Sequence, residues 1–186
     1  AKNSKSAAAL TRQITQGEVD KCYYAVVKVT DRKGMENVQK ELGSRTVITL
    51  ENYLLKDSRT NMSRVVPEGT DGAKKAVLEY QVLGVEAGEE LALLRVKLHT
   101  GRHHQIRVQL SEAGMPILND TKYGTTPDEE NIKDTLRAVR DEALALCSYR
   151  LVFSHPVTRK KLTFEVIPKG KSFALFSEDF GKKDNI

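Results

Sequence analysis

The chain has 186 residues, of which 39% are hydrophobic and 30% charged, and its formal net charge is +5. That size and balance fit one folded domain, 1–186, with a buried core, and they exclude a disordered chain. No apolar run approaches the roughly 20 residues a spanning helix needs, and "AKNSKSAAAL" lacks the apolar centre of a secretory signal.

The first expected element is a helix over 4–16. Ser4 is placed to cap it, Ala7, Leu10 and Ile14 recur at spacings of three and four, and Gly17 suits the position after its end. "CYYAVVKV" (22–29) is β-branched and aromatic, hence a strand. "TVITLENYLL" (46–55) reads as a second strand running into a loop, and "DSRTNMSRVVPEGTDG" (57–72) as irregular, turn-rich chain. "KAVLEYQVLGV" (75–85) and "LALLRVKL" (91–98) flank "EAGEE" as an antiparallel hairpin. A helix over 102–113 follows, stopped by Gly114 and Pro116. A second helical pattern covers 128–147, with Ile132, Leu136, Val139 and Ala143 on one stripe. "SYRLVF" (148–153) and "KLTFEVI" (161–167) form a last hairpin. The expected class is α+β, a mainly antiparallel mixed sheet with flanking helices.

Cys22 and Cys147 are far apart, and neither has a second cysteine at metal-ligand spacing. They read as two free thiols in a reducing compartment, which places the protein in the cytoplasm. The positive charge is a mild pointer to a polyanionic partner.

The densest polar cluster is "TGRHHQIR" (100–107). On a helical wheel over 102–113, Ile106, Leu110 and Ala113 form the buried stripe, and Arg107 lies about 100° from Ile106, at the core's edge. A half-buried guanidinium is costly without an anion, so Arg107 calls for a carboxylate or phosphate partner. A solvated helix edge remains the plainer reading of the cluster. A metal site on His99, His103 and His104 lacks a further ligand at a recurring spacing. No G-x-S-x-G elbow accompanies the histidines, and "GTDG" (69–72) lacks the lysine and the spacing of a phosphate loop.

In its wider setting, "LHTGRHHQIRVQLSEAGMPILNDTKYG" (98–124) resembles the signature segment of the RluA-type pseudouridine synthase family. That segment has a T-G-R-x-H-Q-I-R-V-x-L core, a G-x-P-I stretch and a G-D-x-x-Y-G close. Thr100, Gly101, Arg102, His104, Gln105, Ile106, Arg107, Val108 and Leu110 match the core. Gly114, Pro116, Ile117, Asp120, Tyr123 and Gly124 match the rest, and Asn119 stands where glycine is usual. "KCYYAVV" (21–27) resembles the family's K-x-Y-x-A-x-V strand, and "LVFSHPVTRKKLTFEVIP" (151–168) its L-x-F-x-H-P hairpin.

The resemblance implies the pseudouridine synthase fold and isomerisation of uridine in ribosomal or transfer RNA. The C1′–N1 bond breaks, the uracil rotates, and a C1′–C5 bond forms. It implies no metal and no organic cofactor. It assigns Tyr23 to packing against the target base and Arg107 to pairing with the family's nucleophilic aspartate. The substrate contacts it suggests are Arg102, His104, Gln105 and Lys122, with Leu151 and Phe153 walling the uracil pocket. Arg159, Lys160 and Lys161 are further candidates for phosphate contact. The family's H-R-L-D-x-x-T-S-G motif is not found in this sequence. In relatives it precedes a segment like "AKNSKSAAAL", so the expectation is an N-terminally truncated catalytic domain, inactive by itself. The expected state is a monomer. The competing reading is a non-catalytic RNA-binding protein on the same fold.

Overall fold

The computed structural model describes residues 3–124, 139 and 143–181. Seven strands form one sheet: β1 (Asp20–Lys28), β2 (Val47–Asp57), β3 (Met62–Val66), β4 (Lys74–Glu86), β5 (Leu91–Leu98), β6 (Leu146–Ser154) and β7 (Lys161–Glu165). Their order across the sheet is β3-β2-β4-β5-β1-β6-β7. Every pairing between these strands is antiparallel, so the expected class holds with no parallel component among the described strands.

The central strands are apolar on both faces. Leu91 to Val96 of β5 are all buried, as are Tyr24 to Val27 of β1. One face is closed by the chain after β7. A short helical turn, Lys171–Ala174, brings in Phe173 and Phe176, and Phe180 follows. There Tyr24 stacks on Tyr149 with ring centroids 3.8 Å apart and meets Phe180 at 5.1 Å. The other face carries two helices, α2 (Arg32–Ser44) and α3 (Gln105–Glu112). Tyr80 of β4 donates its hydroxyl to Glu41 of α2, and Val108 of α3 packs with Leu54 and Ala76.

Helix α1 (Ser4–Thr15) forms as expected, but Asn3 caps it, accepting from the Ser6 amide at 2.8 Å. Its inward residue is Gln13, while Ala7 and Ile14 are exposed. Gln13 lies 2% exposed because its amide both donates to and accepts from the backbone of Ser154, at 2.9 Å each way. A saturated amide is as good an anchor to a strand end as an apolar side chain.

Several sequence expectations are corrected. Residues 57–72 are not all irregular, because β3 lies inside them and pairs with β2 across a turn in which Asn61 takes φ 51°. The β2 strand also continues to Asp57 instead of opening into a loop. Helix α3 starts at Gln105, three residues later than expected, because His104 sits in the left-handed region at φ 53°. The helix closes at Glu112, and Ala113, expected on the buried stripe, is exposed just past its end. The helix expected over 128–147 lies mostly outside the described residues, and its last positions are strand, since β6 opens at Leu146. Helix α2 corresponds to no sequence expectation, although Asp31 caps it by accepting from Gly34 at 2.7 Å.

Candidate functional site

A buried amide is central to how the 100–107 cluster is held to the sheet. Gln105, 2% exposed, accepts from the Thr100 hydroxyl at 2.8 Å and the Arg102 amide at 2.9 Å, and donates to the Val77 carbonyl at 3.1 Å. The Thr100 hydroxyl in turn accepts from the Val77 amide at 2.8 Å. Every polar atom of the Gln105 side chain is therefore spent inside the protein. Gln105, expected among the substrate contacts, anchors this loop through those bonds.

Arg107 has a partner within this chain. Its Nε donates to Asp120 Oδ2 at 2.8 Å and its Nη2 to Asp120 Oδ1 at 2.6 Å, a two-bond carboxylate clamp. Asp120 Oδ1 also accepts from the amides of Lys122 and Tyr123, at 2.9 and 3.0 Å. The Asp120 side chain is 0% exposed and that of Arg107 17%. Burial pushes the Asp120 carboxyl up, but the Arg107 bonds and the two amides together outweigh it and hold it below the usual carboxylate range. The Tyr123 ring lies 5.1 Å from the guanidinium carbon. The anion that Arg107 requires is thus supplied first by Asp120, thirteen residues on in the signature itself. The sequence reading called for a carboxylate or phosphate beside Arg107 and is met here, although it did not name Asp120 as that partner. Among the described residues, Arg107 Nη1 donates to nothing.

The turn that holds Asp120 explains two sequence details. Asn119 adopts φ 63°, a conformation asparagine tolerates almost as glycine does, and its side chain donates to the Val139 carbonyl at 2.7 Å. At Gly124 a Cβ would collide with the Asp120 carbonyl, which accepts the Gly124 amide at 2.8 Å.

The histidines form a second layer. Their rings are 3.8 Å apart. The Tyr123 hydroxyl accepts from the Ser63 amide at 2.7 Å and lies 3.0 Å from His104 Nδ1. The Ser63 hydroxyl donates to the His103 carbonyl at 2.9 Å and lies 3.0 Å from His103 Nδ1. Burial lowers the basicity of both imidazoles, and neighbouring cations add to it, which favours their neutral forms. Lys122 is exposed and donates to the Asn61 carbonyl at 3.1 Å, tying the signature to the β2–β3 turn.

Strand register relates Tyr23 to this layer. Tyr23 pairs with Val96, and Val96 with Tyr80, so Tyr23 shares the face on which α2 and α3 pack. No hydrogen bond or ring contact joins Tyr23 to Arg107 among the described residues. Burial, the dominant influence, raises its phenol, which stays neutral. Two residues earlier, Lys21 occupies the same face, and its Nζ lies 3.5 Å from where a Gly101 Cβ would stand. Burial lowers the Lys21 ammonium. Sequence reasoning passed over Lys21, although its two-residue spacing from Tyr23 put it on that face. Leu151 pairs with Lys21 and is half-buried. Phe153 stacks on Phe164 at 5.8 Å, which commits much of its ring to the hairpin. Arg102 is exposed and fixed by donation from its Nε to the Lys75 carbonyl at 2.8 Å.

Comparison with known proteins follows this pattern of residues. The model of the family described as RNA pseudouridylate synthase matches residues 1–112. An "Uncharacterized RNA pseudouridine synthase" of Aquifex aeolicus is 30% identical over 166 residues, 89% of this chain and 47% of its own length. The "Ribosomal large subunit pseudouridine synthase D" of Vibrio cholerae is 34% identical over 158 residues, 83% of this chain and 43% of its own. This chain therefore spans about half the length of the curated relatives it matches. Among solved structures, human RNA Pseudouridylate Synthase Domain Containing 4 superposes with a TM-score of 0.68 at 20% identity, covering 92% of this chain and 67% of the other. The corresponding human Domain Containing 1 protein gives 0.63 at 22% identity, covering 90% and 62%. At those identities the two structures bear on the fold alone. With the family model matching more than half of its residues, the chain belongs to the RNA pseudouridylate synthase family.

Proposed function

We propose that this chain forms the larger part of the catalytic domain of an RNA pseudouridine synthase. In this reading it converts specific uridines of ribosomal or transfer RNA to pseudouridine. The observation that carries it is the guanidinium of Arg107. It is clamped along one edge by Asp120 and has Nη1 uncommitted among the described residues. A second carboxylate at Nη1 would be kept ionised by an adjacent cation that cannot swing away. Asp120 is unsuited to be the nucleophile, since its side chain is fully buried and its oxygens accept four N–H bonds. The reading assigns the nucleophile to an aspartate outside these 186 residues.

The reaction needs no oxidant or reductant. The C1′–N1 bond breaks, the uracil turns, and C5 joins C1′; the C5 proton is then lost and N1 gains one. Tyr23 offers a ring face for the extruded base and a neutral hydroxyl able to move a proton. Lys21 and Leu151 border it. Arg102 and Lys122 are assigned to the RNA backbone, and His104 to orienting Tyr123. The protein is read as a cytoplasmic monomer acting without a metal or organic cofactor.

The complete protein, incubated with RNA carrying tritium at uridine C5, is expected to release tritium, and Arg107→Ala to abolish the release. Tritium retained by the complete protein across total cellular RNA would overturn the proposal in favour of a non-catalytic RNA binder.

A further inference from the structure

A cavity of about 290 Å³ opens between the β2–β3 hairpin and the loop that precedes α3. Its polar lining is Lys56, Ser63, Lys74, Arg102 and His103, with Gly101 at its border, and no carboxylate lines it. Arg102 is held by its Nε to the Lys75 carbonyl, and its Nη atoms donate to nothing among the described residues. Neither Lys56 nor Lys74 forms an ion pair among the described residues. Three cations therefore border one small cavity without a neutralising partner.

The groups facing His103 come from each neighbouring element: Lys56 from β2, Ser63 from β3, Arg107 from α3, then His104, and Lys122 from the turn beyond. After burial, the influences on its imidazole are the cations Lys56, Lys122 and Arg107, and none is an anion. The N-terminus of α3, which has no side-chain cap, begins two residues past this lining and adds its own positive end. The cavity also borders the proposed site, because Gly101 lies against Lys21 and Lys21 is two residues from Tyr23.

We propose that this cavity binds a backbone phosphate of the RNA strand whose uridine enters the Tyr23 site. The inference rests on the reading of RNA as substrate. A strand phosphate supplies the anion that Lys56, Lys74 and Arg102 lack, and His103 takes up a proton when it arrives.

Anisotropy of this chain with a fluorescent stem-loop RNA carrying a uridine-rich loop, measured across a salt series, tests the proposal. Lys56→Gln with Lys74→Gln is expected to weaken binding about tenfold at low salt and to lower the salt slope by about one per lysine. Arg32→Gln on α2, a cation paired with Glu36, is the control and is expected to change neither. Nuclear magnetic resonance titration of His103 gives a reading on the unaltered chain: its pKa is expected to rise with RNA and not with millimolar inorganic phosphate. An unchanged affinity and slope in the double variant, with the unaltered chain binding RNA, overturns the cavity assignment alone. No RNA binding by the unaltered chain overturns it together with the reading of RNA as substrate. An equal His103 response to inorganic phosphate overturns the assignment to a strand phosphate.

Discussion

Asp120→Ala is the perturbation whose cost the structure defines best. The substitution removes a carboxylate with no exposed surface and leaves four N–H donors without their acceptor, two on Arg107 and the amides of Lys122 and Tyr123. It also leaves the Arg107 cation, 17% exposed, with no counter-charge among the described residues. Breaking a buried pair from one side costs about 3–5 kcal/mol. That is roughly two to three and a half powers of ten in the folding equilibrium. The assay is urea denaturation followed by circular dichroism, since the chain has no tryptophan. Asp120→Asn keeps the shape and one acceptor oxygen, so its loss is expected to be smaller. The pH dependence has a definite sign. Because the folded carboxyl is held low, its stabilisation is present above the unfolded value of about 3.9. It is lost as pH falls through the folded value. The gap between the unaltered protein and Asp120→Asn therefore narrows on acidification below about pH 4. A loss under about 0.5 kcal/mol for Asp120→Ala at neutral pH would refute the view that this pair organises the site.

Further outcomes follow from the same geometry. Arg107→Lys keeps the charge but not the two-bond clamp, so at least a hundredfold fall in kcat/KM of the complete protein, of the order of about 10², is expected in tritium release. Tyr23→Phe in the complete protein is expected to leave RNA affinity within about twofold while turnover falls by about 10² or more, because the ring remains and the hydroxyl goes; equal losses in both would assign Tyr23 to packing alone. Nuclear magnetic resonance titration should place both His103 and His104 below the ordinary histidine midpoint. For a histidine lowered on folding, stability falls as pH drops through the unfolded value of about 6.5. Gln105→Leu removes the side-chain bonds to Thr100, the Arg102 amide and the Val77 carbonyl, and an expected loss of about 1–3 kcal/mol is read by urea denaturation.

What the sequence made legible was whatever rests on local pattern. The β5 strand coincides with "LALLRVKL" because an apolar run of that length between turn residues has one natural assignment. Helix α2 was equally available, since Asp31 precedes Met35, Val38 and Leu42 at spacings of three and four. The late start of α3 was not, because a histidine in the left-handed region leaves no sign in composition. The β3 strand was masked by the turn residues around it. Within the candidate site, the resemblance brought Tyr23, Arg102, His104 and Arg107 into view by motif. The Arg107–Asp120 clamp depends on the turn at Asn119 folding back onto α3, a tertiary event. Ser63 reaches His103 from forty residues away for the same reason, through the β2–β3 hairpin.

Release of tritium from uridine-labelled RNA, measured side by side for this 186-residue chain and for the complete protein, bears most directly on the account. Release by the complete protein and none by the chain alone is expected, since the proposed reading assigns the carboxylate at Arg107 Nη1 to a residue outside these 186. Turnover by the chain alone would contradict that account and point to a nucleophile among its own residues.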